Sequence, residues 1–201
     1  MNQPEINTTI LAIFAHPDDE AFGTGGILAL NAAKGFGTAL VTATRGEAGE
    51  ISDPKLANRE NLGQIREQEL RRAADLLGIS ELVVLDYRDS GMAGTDDNQH
   101  PRSLEQADAD EVIEQLVGII RRIKPRAVST FDENGGYGHP DHIAIHKHTV
   151  AAYHAAGDSF KFTKSRRTVD SGASVLLRVP KVDIRKDARV AQRTRTGHFP
   201  T

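Results

Sequence analysis

The sequence predicts an α/β domain of the three-layer, Rossmann-like type with a mostly parallel sheet. The order of apolar runs predicts the fold, and the length and composition of the chain predict a single domain. Four short apolar runs alternate with segments of helical period, which favours parallel strands joined by helices on both faces of one sheet. The chain has 201 residues, 38% of them hydrophobic, which suffices for one domain with its own core and is short for two.

Each predicted strand is largely apolar and is bounded by Gly, Pro or charged residues, as buried strands are. In chain order these strands are TILAIFA (residues 9–15), TALVTAT (38–44), ELVVLD (81–86) and RAVSTF (126–131).

Between the strands, apolar residues recur near the helical period and predict two amphipathic helices. The first is marked by Leu62, Ile65, Leu70, Ala73 and Leu77, and the second by Val112, Ile113, Leu116, Val117 and Ile120.

Composition restricts the kind of site this domain can hold. The chain has no Cys, so a metal ion would be held by imidazole and carboxylate groups, which suits a catalytic site better than a structural zinc site. No apolar run approaches the ~20 residues of a membrane span, and the first residues, MNQPEINTT, lack the features of a signal peptide. We therefore expect a cytoplasmic protein without a membrane span.

Charge is distributed unevenly along the chain. Residues 159–201 carry a net charge of +8, whereas residues 1–158 carry −11. A basic segment can meet nucleic acid or an anionic surface, but this one has few aromatic residues, so we expect a solvated, partly disordered end and no nucleic-acid partner. Its one possible strand is ASVLLRVPKVDI, residues 173–184.

The tripeptide His-Pro-Asp occurs twice, as AHPDDE (residues 15–20) and within GYGHPDHIAIH (136–146). Each copy follows a predicted strand, so both should lie at the carboxyl edge of the sheet, where α/β domains place their sites. His16, Asp19 and His142 would then supply two imidazoles and one carboxylate, the composition of a catalytic zinc site.

Each signal has a plainer alternative. Asp18, Asp19 and Glu20 can cap a helix and interact with its dipole. His142 and His146 are four residues apart and form a competing ligand pair. Two His and one carboxylate also describe an Fe(II) oxygenase, although the alternating pattern disfavours the all-β fold usual for that chemistry.

Five separated motifs, in this order, resemble the LmbE-like or PIG-L family of zinc-dependent N-acetylglucosaminyl deacetylases. They are AHPDDE, TRGEAGE (residues 44–50), REQEL (66–70), RDSGMAGT (88–95) and GGYGHPDH (135–142). The resemblance covers residues 9–158. It implies a deacetylase domain at residues 1–158, followed by a basic C-terminal segment, residues 159–201, that diverges from the family pattern.

The resemblance also implies an activity and its cofactor. The expected reaction is removal of the acetyl group from an N-acetylglucosaminyl conjugate, a small thiol precursor or related glycoconjugate, with a metal-bound water as nucleophile. The expected cofactor is Zn²⁺, although Fe²⁺ or Co²⁺ can occupy such a site. The expected partner is this small-molecule substrate, and the protein is a possible homo-oligomer.

By position, the resemblance assigns roles to residues around the metal. His16, Asp19 and His142 become the zinc ligands, and Asp18 becomes the general base. His139 and Tyr137 would stand beside the developing oxyanion, and His139 would also protonate the leaving amine. Asp141 would orient the His139 imidazole.

Three further residues, Arg66, Glu47 and Asp89, match family positions that contact substrate. Their alternative is an ordinary role as helix or loop charges. For the whole chain, the alternatives to a deacetylase are a Rossmann-like module that binds a nucleotide or another small molecule and an inactive deacetylase homologue.

Overall fold

The computed structural model describes residues 9–163, and within them the chain forms four strands, six α-helices and two short 3₁₀ helices, Asp96–Gln99 and Leu104–Gln106. The strands are β1 (Ile10–Phe14), β2 (Thr38–Thr42), β3 (Glu81–Val84) and β4 (Ala127–Ser129). The helices are α1 (Asp19–Gly23), α2 (Gly25–Ala33), α3 (Leu62–Leu77), α4 (Ala109–Ile123), α5 (Gly135–Gly138) and α6 (Pro140–Ala156).

The four strands form one parallel sheet in the order β3-β2-β1-β4. All four lie within the predicted runs, and α3 and α4 coincide with the two predicted helices. The α/β prediction with a parallel sheet is confirmed.

Successive residues of β1 point to opposite faces of the sheet and separate two apolar layers. Leu11 and Ile13 belong to a core that contains residues of α4 and α6. Ala12 and Phe14 belong to a second core, which contains Leu28 of α2 and Leu70 of α3. Helices therefore cover both faces, which gives the three layers that the sequence predicts.

The strand order places a switch point at the carboxyl end of β1. The chain leaves β1 toward β2 on one side through α1 and α2, whereas β4, reached through α4, pairs with β1 on the other side. Loops that leave β1 and β4 diverge here, and such a crevice is the usual ligand site of an open α/β sheet. The two His-Pro-Asp segments follow these two strands.

Packing continues past residue 158, where the sequence analysis places a boundary. Phe162 packs against the larger core, and the buried Arg121 of α4 donates to the carbonyl oxygens of Lys161 and Phe162 at 2.9 Å each. The predicted strand at residues 173–184 and most of the basic segment lie outside the described residues. No helix within residues 9–163 has the length and apolarity needed to cross a membrane.

Candidate metal centre

The three predicted metal ligands come together at the switch point. His16 Nδ1 lies 3.1 Å from His142 Nε2 and 3.6 Å from Asp19 Oδ2. His142 Nε2 lies 3.4 Å from Asp19 Oδ1. Ligand atoms bound to one tetrahedral zinc ion at 2.0–2.1 Å lie about 3.3 Å apart, and the three observed distances are near this value, with Asp19 meeting His16 through Oδ2 and His142 through Oδ1.

Local structure fixes the orientation of His142 in the first turn of α6. Its Nδ1 lies 3.1 Å from the carbonyl oxygen of Gly135, so that Nδ1 acts as the donor and Nε2 faces the other ligands. The Phe131 ring stacks on the imidazole, with centroids 3.9 Å apart and planes 8° from parallel. Gly135 can approach this closely because it has a φ of 62° and lacks a Cβ, which would lie 2.7 Å from the His142 Cβ.

His16 is oriented through its other ring nitrogen. Its Nε2 lies 3.1 Å from Asp141 Oδ2, and Asp141 is completely buried. The Asp141 carboxylate also accepts hydrogen bonds from the Ser90 hydroxyl and, at 2.9 Å, from the Ser90 backbone N–H. The Asp141 carboxylate is thus bound to His16 and to the loop after β3, while its contact with His139 is through the backbone N–H; the orienting role toward His139 stays a prediction.

The buried charges favour a cation at this point. Burial by itself lowers the pKa of His16, but hydrogen bonds with Asp141 and Asp89 outweigh it and raise the pKa to about 10. Burial and the positive charge of His16 lower the pKa of His142 to about 3, and burial raises the pKa of Asp19 to about 6. A proton on His16 and a divalent metal ion are two ways to place positive charge among the same groups.

Two trios among the described residues have ligand atoms that all lie within 4.8 Å of one another, and Asp19 belongs to neither. One joins His16 and His142 to His139, and the other joins His16 to Asp89 and Asp141. The first has no carboxylate, and the second uses a carboxylate that Ser90 already binds. We favour the trio with Asp19 because it offers two imidazoles and a carboxylate with balanced spacing.

Asp18 and Asp19 are adjacent in sequence but lie in different surroundings. The Asp19 side chain is buried among the ligands, whereas the Asp18 side chain is 55% exposed. Asp18 has a φ of 101°, which is rare for a residue with a Cβ, and its Oδ2 accepts a hydrogen bond from Arg66 Nη2 at 3.0 Å. Asp18 makes no side-chain capping bond to α1, so the helix-capping alternative is wrong for this residue.

The rings of His139 and Tyr137 lie beside the trio. The His139 centroid is 4.6 Å from that of His16, and the Tyr137 centroid is 5.1 Å from that of His142. His139 caps α6, where its Nδ1 accepts the backbone N–H of Asp141 at 3.2 Å. Burial and the charge of His16 lower the pKa of His139, while burial and the carboxylate of Asp19 raise the pKa of Tyr137.

Glu47 and Asp89, two of the predicted substrate contacts, join neighbouring loops in the structure. A Glu47 carboxylate oxygen accepts the backbone N–H of Asp89 at 3.1 Å, and Asp89 accepts the backbone N–H of Ala48 at 3.2 Å. Asp89 is buried, and its Oδ1 lies 3.5 Å from His16 Nε2. The hydrogen bond with His16 lowers the pKa of Asp89, although burial opposes the shift.

The competing ligand pair of His142 and His146 is separated in the structure. His146 Nδ1 lies 2.7 Å from the carbonyl oxygen of Phe131, away from the trio. His146 therefore helps to attach α6 to the end of β4.

A cavity of about 400 Å³ adjoins Asp18 and Arg66. This volume lies in the range of about 300–1,000 Å³ that is usual for small-molecule sites. Apolar and acidic side chains share its wall, namely Ile51, Leu56, Ala57, Leu62 and Ile65 with Glu50, Asp53 and Glu69.

Comparison with known proteins identifies the family. Residues 11–153 match the model of the PIG-L family, described as GlcNAc-PI de-N-acetylase. This chain belongs to the PIG-L family. The resemblance seen in the sequence motifs is thereby confirmed.

Curated relatives of this PIG-L chain carry one common name, 1D-myo-inositol 2-acetamido-2-deoxy-alpha-D-glucopyranoside deacetylase. The relative from Thermobifida fusca is 46% identical over 158 residues, which cover 74% of this chain and 55% of the relative. The relative from Acidothermus cellulolyticus is 48% identical over 153 residues, which cover 72% and 52%. The chain thus spans about half the length of these relatives.

Solved structures share the PIG-L fold at low sequence identity. The N,N'-diacetylchitobiose deacetylase of Pyrococcus horikoshii aligns with a TM-score of 0.70 at 24% identity, covering 96% of this chain and 71% of that one. The 4-carboxy-2-hydroxymuconate hydratase of Pseudomonas putida aligns with a TM-score of 0.65 at 22% identity, covering 84% and 64%. These likenesses establish the fold alone, since the two named activities differ.

Three residues at this site have no role predicted from the sequence. They are Ser90, which binds Asp141; Gly135, whose carbonyl oxygen binds His142; and Phe131, which stacks on His142. Glu20, which the sequence offers only as a helix cap, accepts the Asp18 N–H at 3.0 Å. Ser90 lies in the motif RDSGMAGT, and Phe131 ends the fourth apolar run, so position relative to the strand ends was the signal available.

Proposed function

We propose that this chain hydrolyses the acetamide of an N-acetylglucosaminyl conjugate, releasing acetate and a primary amine. The observation that carries the proposal is the convergence of His16, Asp19 and His142 beside Asp18, in a chain 46% identical to a named deacetylase of this class. The substrate we propose first is the inositol conjugate named in the curated relatives.

His16, Asp19 and His142 would hold a zinc ion through Nδ1, a carboxylate oxygen and Nε2. A bound zinc ion supplies a Lewis acid and lowers the pKa of a coordinated water toward neutrality. The donor set fits this ion because it contains two imidazoles and one carboxylate at suitable spacing. Fe²⁺ or Co²⁺ would fit the same donors.

The remaining residues act on protons and on the acyl oxygen. Asp18 accepts the proton of the attacking water, because its carboxylate is exposed at the cavity wall and acts electrostatically on its neighbour Asp19. Tyr137, whose raised pKa keeps its phenol protonated, donates a hydrogen bond to the acyl oxygen as that oxygen becomes negative. Burial lowers the pKa of His139 and favours its neutral form, so the proton that His139 delivers to the leaving amine is the one that Asp18 takes from the water.

The likeness to solved structures establishes the fold and not the reaction, so the reaction must be tested with substrates. We would incubate the zinc-loaded protein with N-acetylglucosaminyl conjugates of inositol, malate and lipid-linked inositol, and measure primary amine and acetate. We expect equal amounts of both products from at least the inositol conjugate. Absence of amine from every conjugate, with zinc bound, would favour the binding-module or inactive-homologue reading. We also propose a cytoplasmic location and a small-molecule substrate as the partner.

A further inference from the structure

The Arg66 guanidinium binds three acceptors of the protein itself, which a side chain that only contacts substrate does not require. Its Nη2 donates to the carbonyl oxygen of Pro17 at 2.6 Å and to Asp18 Oδ2 at 3.0 Å, while its Nη1 donates to the carbonyl oxygen of Gly46 at 3.0 Å. The Arg66 side chain is only 19% exposed. A single guanidinium therefore joins α3 to the loop after β1 and to the loop after β2.

Two glycines make room for this guanidinium. A Cβ at Gly46 would overlap Arg66 Nη1, and a Cβ at Gly49 would lie 2.8 Å from the same atom. Gly46 has a φ of 68°, which also favours glycine, whereas no positive φ is recorded for Gly49. The loop after β2 is thus shaped around the Arg66 side chain.

The residue that Arg66 binds has a strained backbone. Asp18 has φ 101° and ψ −30°, and a residue with a Cβ keeps so strained a backbone only where its surroundings hold it there. Arg66 binds the carbonyl of the preceding residue and the carboxylate of Asp18 itself, and Glu20 binds the Asp18 N–H. These contacts fix both the direction of the Asp18 backbone and the position of its Oδ2.

We propose that Arg66 is a positioning residue for Asp18 and that its effect on turnover runs through that carboxylate. The inference rests on the proposed function, in which Asp18 is the general base. Displacing a catalytic group by about 1 Å can lower the reaction rate about 10²-fold. A strained backbone that fixes the Asp18 carboxylate can therefore favour turnover. Lysine cannot replace Arg66 here, because one ammonium group lacks the planar fork that reaches three acceptors.

A double-mutant cycle of Arg66→Ala and Asp18→Asn tests the inference in zinc-loaded protein. We expect Arg66→Ala to lower kcat about 10²-fold, to change KM less than about threefold and to retain zinc. In the Asp18→Asn background, Arg66→Ala should cause no further loss of kcat. The inference would be overturned if the kcat losses of the two single variants multiplied in the double variant, or if Arg66→Ala raised KM and left kcat unchanged. Arg66 would then be a substrate contact.

Gly49→Ala perturbs the guanidinium without altering Arg66 itself. We expect it to reproduce part of the loss of kcat, and we expect added guanidinium ion to restore part of the activity of Arg66→Ala. Arg72→Ala, an exposed arginine on the same helix, is the matched control and should leave kcat unchanged. Full activity in Gly49→Ala with a displaced Arg66 would contradict the proposal.

Crystal structures of Arg66→Ala and Gly49→Ala separate this inference from the proposed function. If the wild-type protein released no amine from any conjugate, the proposed function would fail, and these structures would still decide the inference. We expect the Asp18 carboxylate to leave its wild-type position in both variants. An unmoved Asp18 in Arg66→Ala would overturn the positioning role.

Discussion

The His16 ring lies between the other two proposed metal ligands and two buried carboxylates. Its Nδ1 faces Asp19 and His142, whereas its Nε2 faces Asp141 and Asp89. The ring can therefore bind a cation on one side while carboxylates stabilise it on the other, as outer carboxylates commonly do for ligating histidines.

Metal binding should depend on pH in a defined direction. The pKa of His16 is raised to about 10, so the ring carries a proton at neutral pH that a metal ion must displace. Zinc affinity should therefore rise about tenfold per pH unit between pH 6 and 8, and more steeply below pH 6, where Asp19, with a pKa of about 6, also protonates. His142, with a pKa of about 3, should contribute no proton in this range.

Calorimetric titration of zinc in buffers with different heats of ionisation would measure the displaced protons. We expect His16 to release about one proton per zinc ion at pH 7 to 8, and the coordinated water, whose pKa zinc lowers toward neutrality, to release up to about one more. Equal affinity at pH 6 and pH 8, with no proton released, would contradict the electrostatic description of His16.

Ser90 provides a test of the orienting carboxylate. Its hydroxyl and backbone N–H both donate to Asp141, which in turn binds His16. Ser90→Ala removes only the hydroxyl, and we expect zinc affinity to fall about 10- to 100-fold while the fold persists. Competition with a chelator would measure the change, and wild-type affinity would show that the backbone N–H suffices.

At the level of elements, α4 and α6 are joined by a buried arginine as well as by apolar packing. Arg121 is 2% exposed, and its guanidinium donates to carbonyl oxygens at and beyond the end of α6. The acceptors are the carbonyl oxygens of Ala155, Ala156, Asp158, Lys161 and Phe162. Arg121 thus binds the C-terminal end of α6, and His142 lies at the N-terminal end of the same helix.

Arg121→Met should destabilise the domain by roughly 3 kcal/mol, because several buried carbonyl groups lose a charged donor. Arg122→Met is the matched control. Arg122 is 52% exposed and pairs with Glu81 at 2.6 Å, and a surface pair of this kind contributes about 1 kcal/mol or less. Chemical denaturation of both variants would measure the difference, and equal stability losses would refute the role of Arg121.

Some elements could be predicted from sequence and others could not. The four strands could be predicted from apolar runs, and helices α3 and α4 from apolar residues that recur at helical spacing. Helix α2 does not, because GGILALNAA is apolar on nearly all sides and shows no preferred face. Arg121 reads as an ordinary surface charge in the sequence, since only the end of α6 makes it a buried donor.

At the scale of the whole molecule, the approach of the proposed metal ligands could be predicted because the fold is regular. Parallel strands bring their carboxyl ends to one edge, which places the two His-Pro-Asp segments after β1 and β4 at the same edge. The partner of Asp141 was not predictable, because Ser90 is 51 residues away and no sequence pattern sets the loops after β3 and β4 against each other.

The two curated relatives described above are longer than this chain. The chain covers 55% of one and 52% of the other, and the family match ends at residue 153. The metal trio, Asp18, His139 and Tyr137 all lie within that matched part. The proposed chemistry therefore depends on residues of this domain, whereas selection of the conjugate is a property to be measured for this chain.

The most direct test of the account compares Asp18→Asn with Asp19→Asn, measuring zinc content and amine release in the same preparations. Asp19 is proposed to bind the metal, so Asp19→Asn should lose both zinc and turnover. Asp18 is proposed to accept only a proton, so Asp18→Asn should retain zinc and lose about 10²- to 10⁴-fold in turnover. Near wild-type turnover of zinc-loaded Asp18→Asn, or loss of zinc from Asp18→Asn but not from Asp19→Asn, would contradict the account.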